Sequence, residues 1–341
     1  MKLSKTIVSL SNLDLHYLVR EMKSLEGQYV QKVYGEGRTF RLRFKNADVV
    51  TRVPEKIYLA DKPPTFSEHP DSYVMLLRKH IAGKLVRVEQ LNFDRILRFT
   101  FEKASLVFEL FAKGNVILLN ADSRIIKPLE NEKYASRVIH AGQDYVAPPM
   151  IKKHPSNLAL SDFSGLKGKV VSVLSKVTNF SPFYLEEACA RCGVDTQTMM
   201  ETLTEAQRTN LMEALKKMLD DYAPHRYGGV VSPIKLYRLP EGQSAPSFSE
   251  LLEKQPVLVE EEKDNKEYLQ ATQRKAIEDF GQKENLATRK AQWLSNHLDA
   301  LKALLEGNDD PTERMGAKVT RKGNGIEIDV PDIDVADEPS V

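Results

Sequence analysis

The stretch KLVRVEQLNFDRILRFTFEKASLVFELFAKGNVILLN, residues 84–120, holds four strand-like runs in close succession. They lie near 84–90, 95–102, 105–111 and 115–119, and no helical pattern separates them. In a nucleotide-binding βαβ sheet a helix follows each strand, so this stretch belongs to a different class of fold. It predicts a group of neighbouring strands within an α+β domain.

Upstream of this stretch, two helices enclose shorter strands. The first helix is predicted over 11–26, because apolar residues recur at helical spacing. Ser11 and Asp14 occupy the positions of a capping box, and Gly27 suits the helix end. The remaining elements are strands over 39–45, 47–53 and 56–60 and a second helix over 71–82. The order helix, strands, helix, strands predicts an α+β domain over 1–150.

The strand over 39–45 has one polar, basic face. Phe40, Leu42 and Phe44 alternate with the basic residues along it. Those basic residues are Arg41, Arg43 and Lys45. We expect this face to be exposed and available to an anionic partner.

Four further segments follow the first domain. Short helices over 151–227, including 184–191 and 203–222, favour a small helical docking module. A turn-rich return segment occupies 228–258, and a long charged helix is predicted over 259–307. This helix carries a coiled-coil seam formed by Ala287, Ala291, Leu294, Leu298, Leu301 and Leu305. The tail, 308–341, has a strand-like run at 326–330, and its last ten or so residues are expected to be disordered.

Composition narrows the class of protein. The chain has 341 residues, 41% of them hydrophobic, and a formal net charge of +1, so any nucleic-acid binding must rest on local clusters of charge. The sequence begins without a signal-peptide pattern and contains no run of about 18 apolar residues, so no membrane contact is expected. Two cysteines argue against a disulfide scaffold and favour a reducing, cytoplasmic compartment.

Motifs of catalysis are missing from the sequence. Cys189 and Cys192 have CxxC spacing but no second pair, so they are interpreted as structural helix cysteines. The seven histidines are scattered singly, and neither a phosphate-binding loop nor a nucleophile elbow is present. We therefore expect no metal, no cofactor and no catalytic residue.

A cluster of basic residues marks the candidate binding site. Arg78, Lys79 and His80 end the second helix, where cations also stabilise the helix dipole, so a purely structural role stays open. Asp94 and Arg95 follow closely, and an adjacent carboxylate can orient an arginine toward a phosphate or a base edge. The alternative for these two residues is a local surface ion pair.

At these residues the sequence resembles the NFACT family of ribosome-associated quality-control factors, once described as fibronectin-binding proteins. The similarity is carried by five stretches that run from the first helix into the helical module. They are Leu13-Asp14-Leu15 with Val19-Arg20-Glu21 and Leu25-Glu26-Gly27, then Met75-Leu76-Leu77-Arg78-Lys79-His80, Asp94-Arg95-Ile96-Leu97, Gly114-Asn115-Val116-Ile117-Leu118, and Tyr184-Leu185-Glu186-Glu187-Ala188-Cys189 with Gly193-Val194-Asp195.

The resemblance implies a function and a fold. Family members bind large ribosomal subunits obstructed by peptidyl-tRNA and recruit aminoacyl-tRNA, so that the nascent chain is extended without mRNA. An acidic residue of the first helix and an Asp-Arg pair serve tRNA binding, and these fall on Asp14, Asp94 and Arg95. The implied fold is a glycosylase-like β-sandwich domain with flanking helices, a helix-hairpin-helix module and a coiled-coil arm. We expect tRNA and rRNA contacts through Arg41, Arg43, Lys45, Arg78, Lys79, His80 and Arg95, with Asp14 and Asp94 as orienting residues.

The sequence departs from the family pattern in two places, and each departure bears on an alternative function. Glycosylases of this type use an N-terminal proline, whereas this sequence starts Met1-Lys2-Leu3, which argues against a DNA-repair enzyme. The arm is expected to be shortened to its first helix, so its apolar seam should pair with a second copy or another chain. A coiled-coil interaction scaffold is therefore the second alternative to an RNA-binding factor.

Overall fold

The computed structural model describes residues 10–81, 83–150, 152–239, 241–255, 281, 284–305, 318–322 and 325–329. The chain divides into two units, Met1–Val257 and Leu258–Val341. The predicted disorder of the last ten residues and the predicted helix over 259–280 lie outside the described residues.

The first unit begins with helix α1, Asn12–Met22, which confirms the predicted helix and its cap. Ser11 Oγ accepts a hydrogen bond from the Asp14 amide at 3.2 Å, and Asp14 Oδ2 accepts one from the Ser11 amide at 2.7 Å. This reciprocal pair satisfies two of the amides that a helix start leaves without partners. A 3₁₀ turn, Lys23–Leu25, follows, and Gly27 leaves it with φ of +90°.

The first sheet has four antiparallel strands in sequential order. They are β1 Lys32–Glu36, β2 Thr39–Arg43, β3 Asp48–Arg52 and β4 Lys56–Ala60. Three of these strands are predicted by the alternation of the sequence, whereas β1 is not. Phe40 and Leu42 of β2 are buried, as expected from the period of two.

Helix α2, Ser72–His80, joins the first sheet to the second. Its N-cap is Asp71, whose Oδ1 accepts a hydrogen bond from the Val74 amide at 2.8 Å. The second sheet is an antiparallel meander of five strands. They are β5 Leu85–Gln90, β6 Ile96–Phe101, β7 Ala104–Glu109, β8 Asn115–Asn120 and β9 Ile125–Pro128. The first four confirm the strands predicted over 84–120.

The two sheets share one apolar core. Leu42 and Val49 of the first sheet belong to the same buried cluster as Phe99 and Leu106 of the second, which is the arrangement of a β-sandwich. The other face of the second sheet packs on a separate cluster that includes Ile96, Val107 and Ile139. This second face is covered by the segment around the short pair β10 Glu132–Lys133 and β11 Val138–Ile139.

Helices and a small sheet complete the first unit. The helices are α3 Val170–Val177, α4 Pro182–Arg191, α5 Glu205–Lys217 and α6 Phe248–Glu253, with 3₁₀ turns at Pro155–Asn157, Leu160–Phe163 and Met200–Thr202. The small sheet has the order β13–β12–β14, with β12 Tyr222–Tyr227, β13 Val230–Ile234 and β14 Gln243–Ser244. The helix predicted over 203–222 ends early, at Lys217, because the chain turns there into β12. The predicted return segment contains β13, β14 and α6.

The second unit is described in part. Its chain is helical over 284–296 (α7) and Leu298–Leu305 (α8), within the range predicted as a long helix. Leu294 and Leu298 of the predicted seam are 47% and 51% exposed. Strands β15 Lys318–Lys322 and β16 Gly325–Asp329 pair antiparallel, and β16 confirms the strand-like run of the tail. Among the described helices, none has the length and apolar character needed to cross a bilayer.

Helix α1 contributes to two cores at once. Leu15, Leu18 and Met22 pack in the sandwich core, whereas Leu13 and Tyr17 pack in the core of the helical region. Two faces of one short helix are therefore buried against different parts of the first unit.

Polar side chains of α1 also form hydrogen bonds with the helical region. Tyr17 Oη donates to the Met218 carbonyl at 2.8 Å, and Tyr184 Oη of α4 donates to Asp14 Oδ1 at 2.5 Å. Burial raises the pKa of Asp14 above its ordinary value, although hydrogen bonds from Tyr184 and Ser11 oppose the shift. Burial and the neighbouring Asp14 carboxylate raise the pKa of Tyr184 as well, so the phenol remains the donor.

Glu21 of α1 connects the helix to α6. Its carboxylate accepts hydrogen bonds from the amides of Phe248 and Ser249, at 2.7 and 3.1 Å, and from the hydroxyls of Ser249 and Tyr222. Three donors at the start of α6 and one from β12 therefore share a single acceptor side chain.

Replacing Glu21 with alanine should destabilise the first unit. The substitution leaves the Ser249 amide and the hydroxyls of Ser249 and Tyr222 without their acceptor, while the Phe248 amide keeps only the Tyr222 hydroxyl at 3.1 Å. We expect a loss of about 2 kcal/mol in the free energy of unfolding. Denaturant unfolding followed by circular dichroism measures this loss. The matched control is Glu36→Ala, which removes an exposed carboxylate and should change stability little. Equal losses for the two variants would contradict the capping role of Glu21.

The buried Asp14 carboxyl should make stability depend on pH in a definite direction. Because its folded-state pKa lies above the ordinary value of 3.8, the folded protein takes up a proton at a pH where the unfolded chain does not. This contribution is present below pH 3.8 and is lost as the pH rises through the raised pKa. The free energy of unfolding of the wild type, minus that of Asp14→Asn, should therefore increase between pH 7 and pH 4. A difference that stays constant or falls would show that the Asp14 pKa is not raised.

Candidate nucleic-acid interface

The turn between β5 and β6 has a strained backbone. Asn92 and Phe93 have φ angles of +55° and +48°, in the left-handed region that residues with a side chain rarely adopt. Such conformations cost about 1–3 kcal/mol each and persist only where the surroundings enforce them. The turn is closed by hydrogen bonds from the Leu91 amide to the Ile96 carbonyl and from the Asp94 amide to the Leu91 carbonyl, both 2.9 Å.

Phe93 anchors this turn in the helical region. Its ring is 3% exposed and makes edge contacts with the rings of His154 and Phe180, at centroid distances of 4.9 and 5.5 Å. Its carbonyl accepts hydrogen bonds from the side-chain amides of Asn12, at 3.0 Å, and Asn179, at 3.4 Å. Packing on one side and hydrogen bonds on the other therefore hold the turn in place.

Asp94 and Arg95 lie at the end of the turn and are both half-buried. Asp94 Oδ1 accepts a hydrogen bond from the Arg95 amide at 2.7 Å. The carboxylate thus fixes the backbone and does not pair with the guanidinium, so the alternative of a local surface ion pair is wrong. Within the described ranges, the Arg95 guanidinium has no hydrogen bond or ion pair, and all five of its N–H groups remain available.

A cleft of about 770 Å³ adjoins the turn. It lies between α1, β5 and the 3₁₀ turn at Pro155–Asn157, and its lining includes His16, Arg20, Lys23, Arg87, Phe93 and His154. Arg20 is 3.6 Å from Asp220, and Arg87 is 3.1 Å from Glu89. Burial lowers the pKa of both histidines, so the lining combines neutral imidazoles with three cations, Arg20, Lys23 and Arg87, and two carboxylates, Glu26 and Glu89. A cleft of this kind can accept an anionic ligand with a flat ring.

Asp14 does not reach this surface. It is 6% exposed, and its two oxygens are occupied by Ser11 and Tyr184. The structure therefore gives Asp14 a positioning role, through the placement of α1 against α4.

The basic residues at the end of α2 lie near the opposite end of β5. Arg78 Nε donates to the Val33 carbonyl of the edge strand β1 at 2.7 Å. Lys79 is exposed and His80 is half-buried. The predicted cluster is therefore divided between two places, with Arg78, Lys79 and His80 at one and Asp94 and Arg95 at the other.

The basic face of β2 is only partly free. Arg41 forms a bidentate pair with Asp48, with Nε and one terminal nitrogen at 2.7 and 2.9 Å from the carboxylate oxygens. Their side chains are 18% and 17% exposed, so the prediction of Arg41 as a freely exposed cation is wrong. Arg43 and Lys45 are exposed as predicted. Lys32 of β1 lies directly opposite Arg43 and was missed, because β1 itself was not predicted.

The cysteine pair has no ligand character in this fold. Cys189 is fully buried in the helical core, and burial raises the pKa of its thiol to about 12. Cys192 is half-buried, and its Sγ lies 3.3 Å from the Asn210 carbonyl. In the parts of the chain that the structure describes, no three His, Cys, Asp or Glu side chains are grouped to hold a metal ion.

Comparisons with known proteins assign the family. Residues 11–303 match the family described as NFACT N-terminal and middle domains. The archaeal Rqc2 homolog aRqcH of Methanocaldococcus jannaschii is 36% identical over 176 residues, which cover 48% of this chain and 26% of that protein. Ribosome quality control complex subunit 2 of Saccharomyces cerevisiae is 37% identical over 128 residues, which cover 34% of this chain and 12% of that protein. The matches therefore span well under half the length of these relatives.

Solved structures support the fold. The N-terminal part of a fibronectin/fibrinogen-binding protein from Streptococcus suis superposes with a TM-score of 0.60 at 19% identity, covering 72% of this chain and 97% of that one. The fibrinogen-binding protein of Staphylococcus aureus gives 0.58 at 20% identity with the same coverages. At this level of identity the similarity concerns the fold alone. The family match extends over most of the sequence, and on that ground the chain belongs to the NFACT family.

Proposed function

We propose that this chain binds tRNA, with Arg95 as the principal contact, in the quality control of stalled ribosomes. The observation that carries the proposal is a guanidinium, unpaired among the described residues, on a rigid turn beside a cleft whose lining holds three cations and two carboxylates. Relatives named as ribosome quality control factors support the biological setting. In that setting the chain would bind a large ribosomal subunit with its rRNA and peptidyl-tRNA, and recruit aminoacyl-tRNA for extension of the nascent chain without mRNA.

Binding in this proposal involves no covalent chemistry. Arg95 would place its planar fork against a phosphate or a base edge, and a fork of that shape can make two parallel hydrogen bonds. Asp94 holds the Arg95 backbone, and Asp14 holds α1, so each acts as a positioning residue. Phosphate contacts release counterions, and the affinity should therefore fall steeply with salt.

Charge reversal at Arg95 tests the contact. Arg95→Glu should weaken tRNA binding at least tenfold, or about 1.4 kcal/mol, and should make the salt dependence shallower. Arg95→Lys keeps the charge and loses the fork, so it should give an intermediate affinity. Filter retention of labelled unfractionated tRNA at several salt concentrations gives both quantities.

The control for this experiment is Lys133→Glu, which reverses an exposed charge on β10, outside the turn and the cleft lining. It should weaken binding by no more than about twofold, since only long-range attraction is lost. If Arg95→Glu binds as well as Lys133→Glu, Arg95 is not in the contact. If the wild type binds no tRNA, the proposed function is wrong for this chain.

A second candidate function is a coiled-coil interaction scaffold, and the exposed seam of α7 and α8 favours it. Leu294 and Leu298 are half-exposed apolar residues one helical turn apart. Paired helices bury such a seam, and a helix that leaves it exposed can associate with another copy or another chain.

Aspartate at both seam positions separates the two candidates. Leu294→Asp with Leu298→Asp should abolish any concentration-dependent association seen by sedimentation, because two charges would enter the apolar interface. The same variant should keep the tRNA affinity of the wild type if Arg95 carries binding. Association that is abolished in the seam variant, together with a wild type that binds no tRNA, would favour the scaffold as the functional element.

A further inference from the structure

The edge of the first sheet carries an unbalanced group of positive charges. Lys32 of β1 lies directly across from Arg43 of β2, and Tyr34 lies directly across from Arg41. Like charges opposite one another destabilise a strand pair. Lys32 and Arg43 are both exposed, and in the ranges that the structure describes neither forms an ion pair. This edge therefore carries a repulsion that an anionic partner would relieve.

Three cations surround the ring of Tyr34. Lys32 Nζ and the Arg41 guanidinium carbon each lie 5.0 Å from the ring centroid, and the Arg78 guanidinium carbon lies 5.9 Å from it. The ring of Phe66 stacks nearby at 6.1 Å. With these neighbours the Tyr34 ring is covered, so it cannot serve as a platform for a nucleobase. The cluster can attract charge but cannot identify a base.

The carboxylates of these strands do not balance the group. Over residues 32–48 the cations are Lys32, Arg38, Arg41, Arg43 and Lys45, and the carboxylates are Glu36 and Asp48. Arg38 pairs outside this range, with Glu130. Asp48 is bound to Arg41. Five positive charges against two negative ones leave an excess of three, although the whole chain has a formal net charge of only +1.

Two of the arginines are held in place by the protein. Arg41 is fixed by Asp48, and Arg78 is fixed by its hydrogen bond to the Val33 carbonyl. Each still has N–H groups directed to no protein oxygen, because a guanidinium has five donors. Fixed donors lose little entropy on binding, so the cluster is pre-organised for an acceptor-rich ligand.

We infer that this edge, formed by Lys32, Arg41, Arg43 and Arg78, binds the phosphate backbone of the same tRNA that Arg95 contacts. The inference rests on the proposed function. The six-residue strand β5 runs from the end of α2 to the Arg95 turn, a length of about 20 Å. Two contacts this far apart on one unit fix the direction of a long polyanion, and the first contact raises the effective concentration for the second. The edge contact would be independent of tRNA sequence.

The experiment compares variants of the full chain in tRNA filter retention. Lys32→Glu with Arg43→Glu reverses the two exposed edge charges. The matched control, Lys103→Glu with Lys133→Glu, makes the same change in net charge at exposed sites elsewhere. The edge variant should bind unfractionated tRNA at least about fivefold more weakly than the control. Its salt slope should be shallower by about 1.5, as expected for two lost phosphate contacts.

A pair of milder substitutions and binding measurements with other ligands make the result interpretable. Lys32→Gln with Arg43→Gln should give a smaller loss in the same direction, and unfolding midpoints show whether each variant folds. Equal binding by the edge variant and the control would overturn the inference. Loss of binding to isolated large ribosomal subunits, or to phosphatidylserine vesicles, with tRNA affinity unchanged, would overturn it too and assign the edge to rRNA or to a membrane.

Arg95→Glu, measured in the same series, separates this inference from the proposed function. If the edge variant loses affinity and Arg95→Glu does not, the edge contact stands and the role of Arg95 falls. If Arg95→Glu alone loses affinity, the role of Arg95 stands and the edge contact falls. When the edge substitutions and Arg95→Glu are combined, their losses of binding free energy should add. No described side-chain contact joins the β1–β2 edge to the Arg95 turn.

Discussion

The hydrogen bond between Tyr184 and the buried carboxyl of Asp14 fixes the relation between the sandwich and the helical region. A carboxyl group taken out of water must find donors inside the protein, and here they come from the start of its own helix and from α4. Without the Asp14 carboxylate, these buried donors would lie in apolar surroundings with no acceptor. The position of α1 is therefore set by polar requirements as well as by its two apolar faces.

The turn that carries Arg95 depends on that position. Asn12, in the first turn of α1, donates to the carbonyl of Phe93, and Phe93 itself packs in the helical core that α1 helps to form. Two residues in left-handed conformations remain stable there because packing and hydrogen bonds both act on them. The result is an arginine whose backbone is rigid and whose guanidinium is free. Because the protein orders such a site when it folds, less conformational entropy is lost when a ligand binds.

The sequence predicts local features well and long-range ones poorly. The capping box of α1 and the strands over 84–120 are confirmed, because both depend on residues close together in the chain. Strand β1 escapes prediction because it carries Gly35 and Glu36, residue types that are depleted in strands. The ion pair between Arg41 and Asp48 depends on the pairing of β2 with β3. The distance between Arg78 and Arg95 depends on the direction in which β5 runs. None of these relations is contained in residue spacing. Arg95 itself was predicted, although its relation to Asp94 differs from expectation.

The distribution of charge explains how a nearly neutral chain can be suited to a polyanion. With 49 basic and 48 acidic residues, the overall field is weak, and over distances beyond about 10 Å salt screens what remains. The proposed binding would then depend on places where the fold keeps carboxylates away from cations. At the Arg95 turn this happens because Asp94 is occupied by a backbone amide. At the β1–β2 edge it happens because one carboxylate, Asp48, is already bound to Arg41. In both places the carboxylate that might have neutralised the site stabilises the fold instead, and the cations beside it keep their capacity for phosphate.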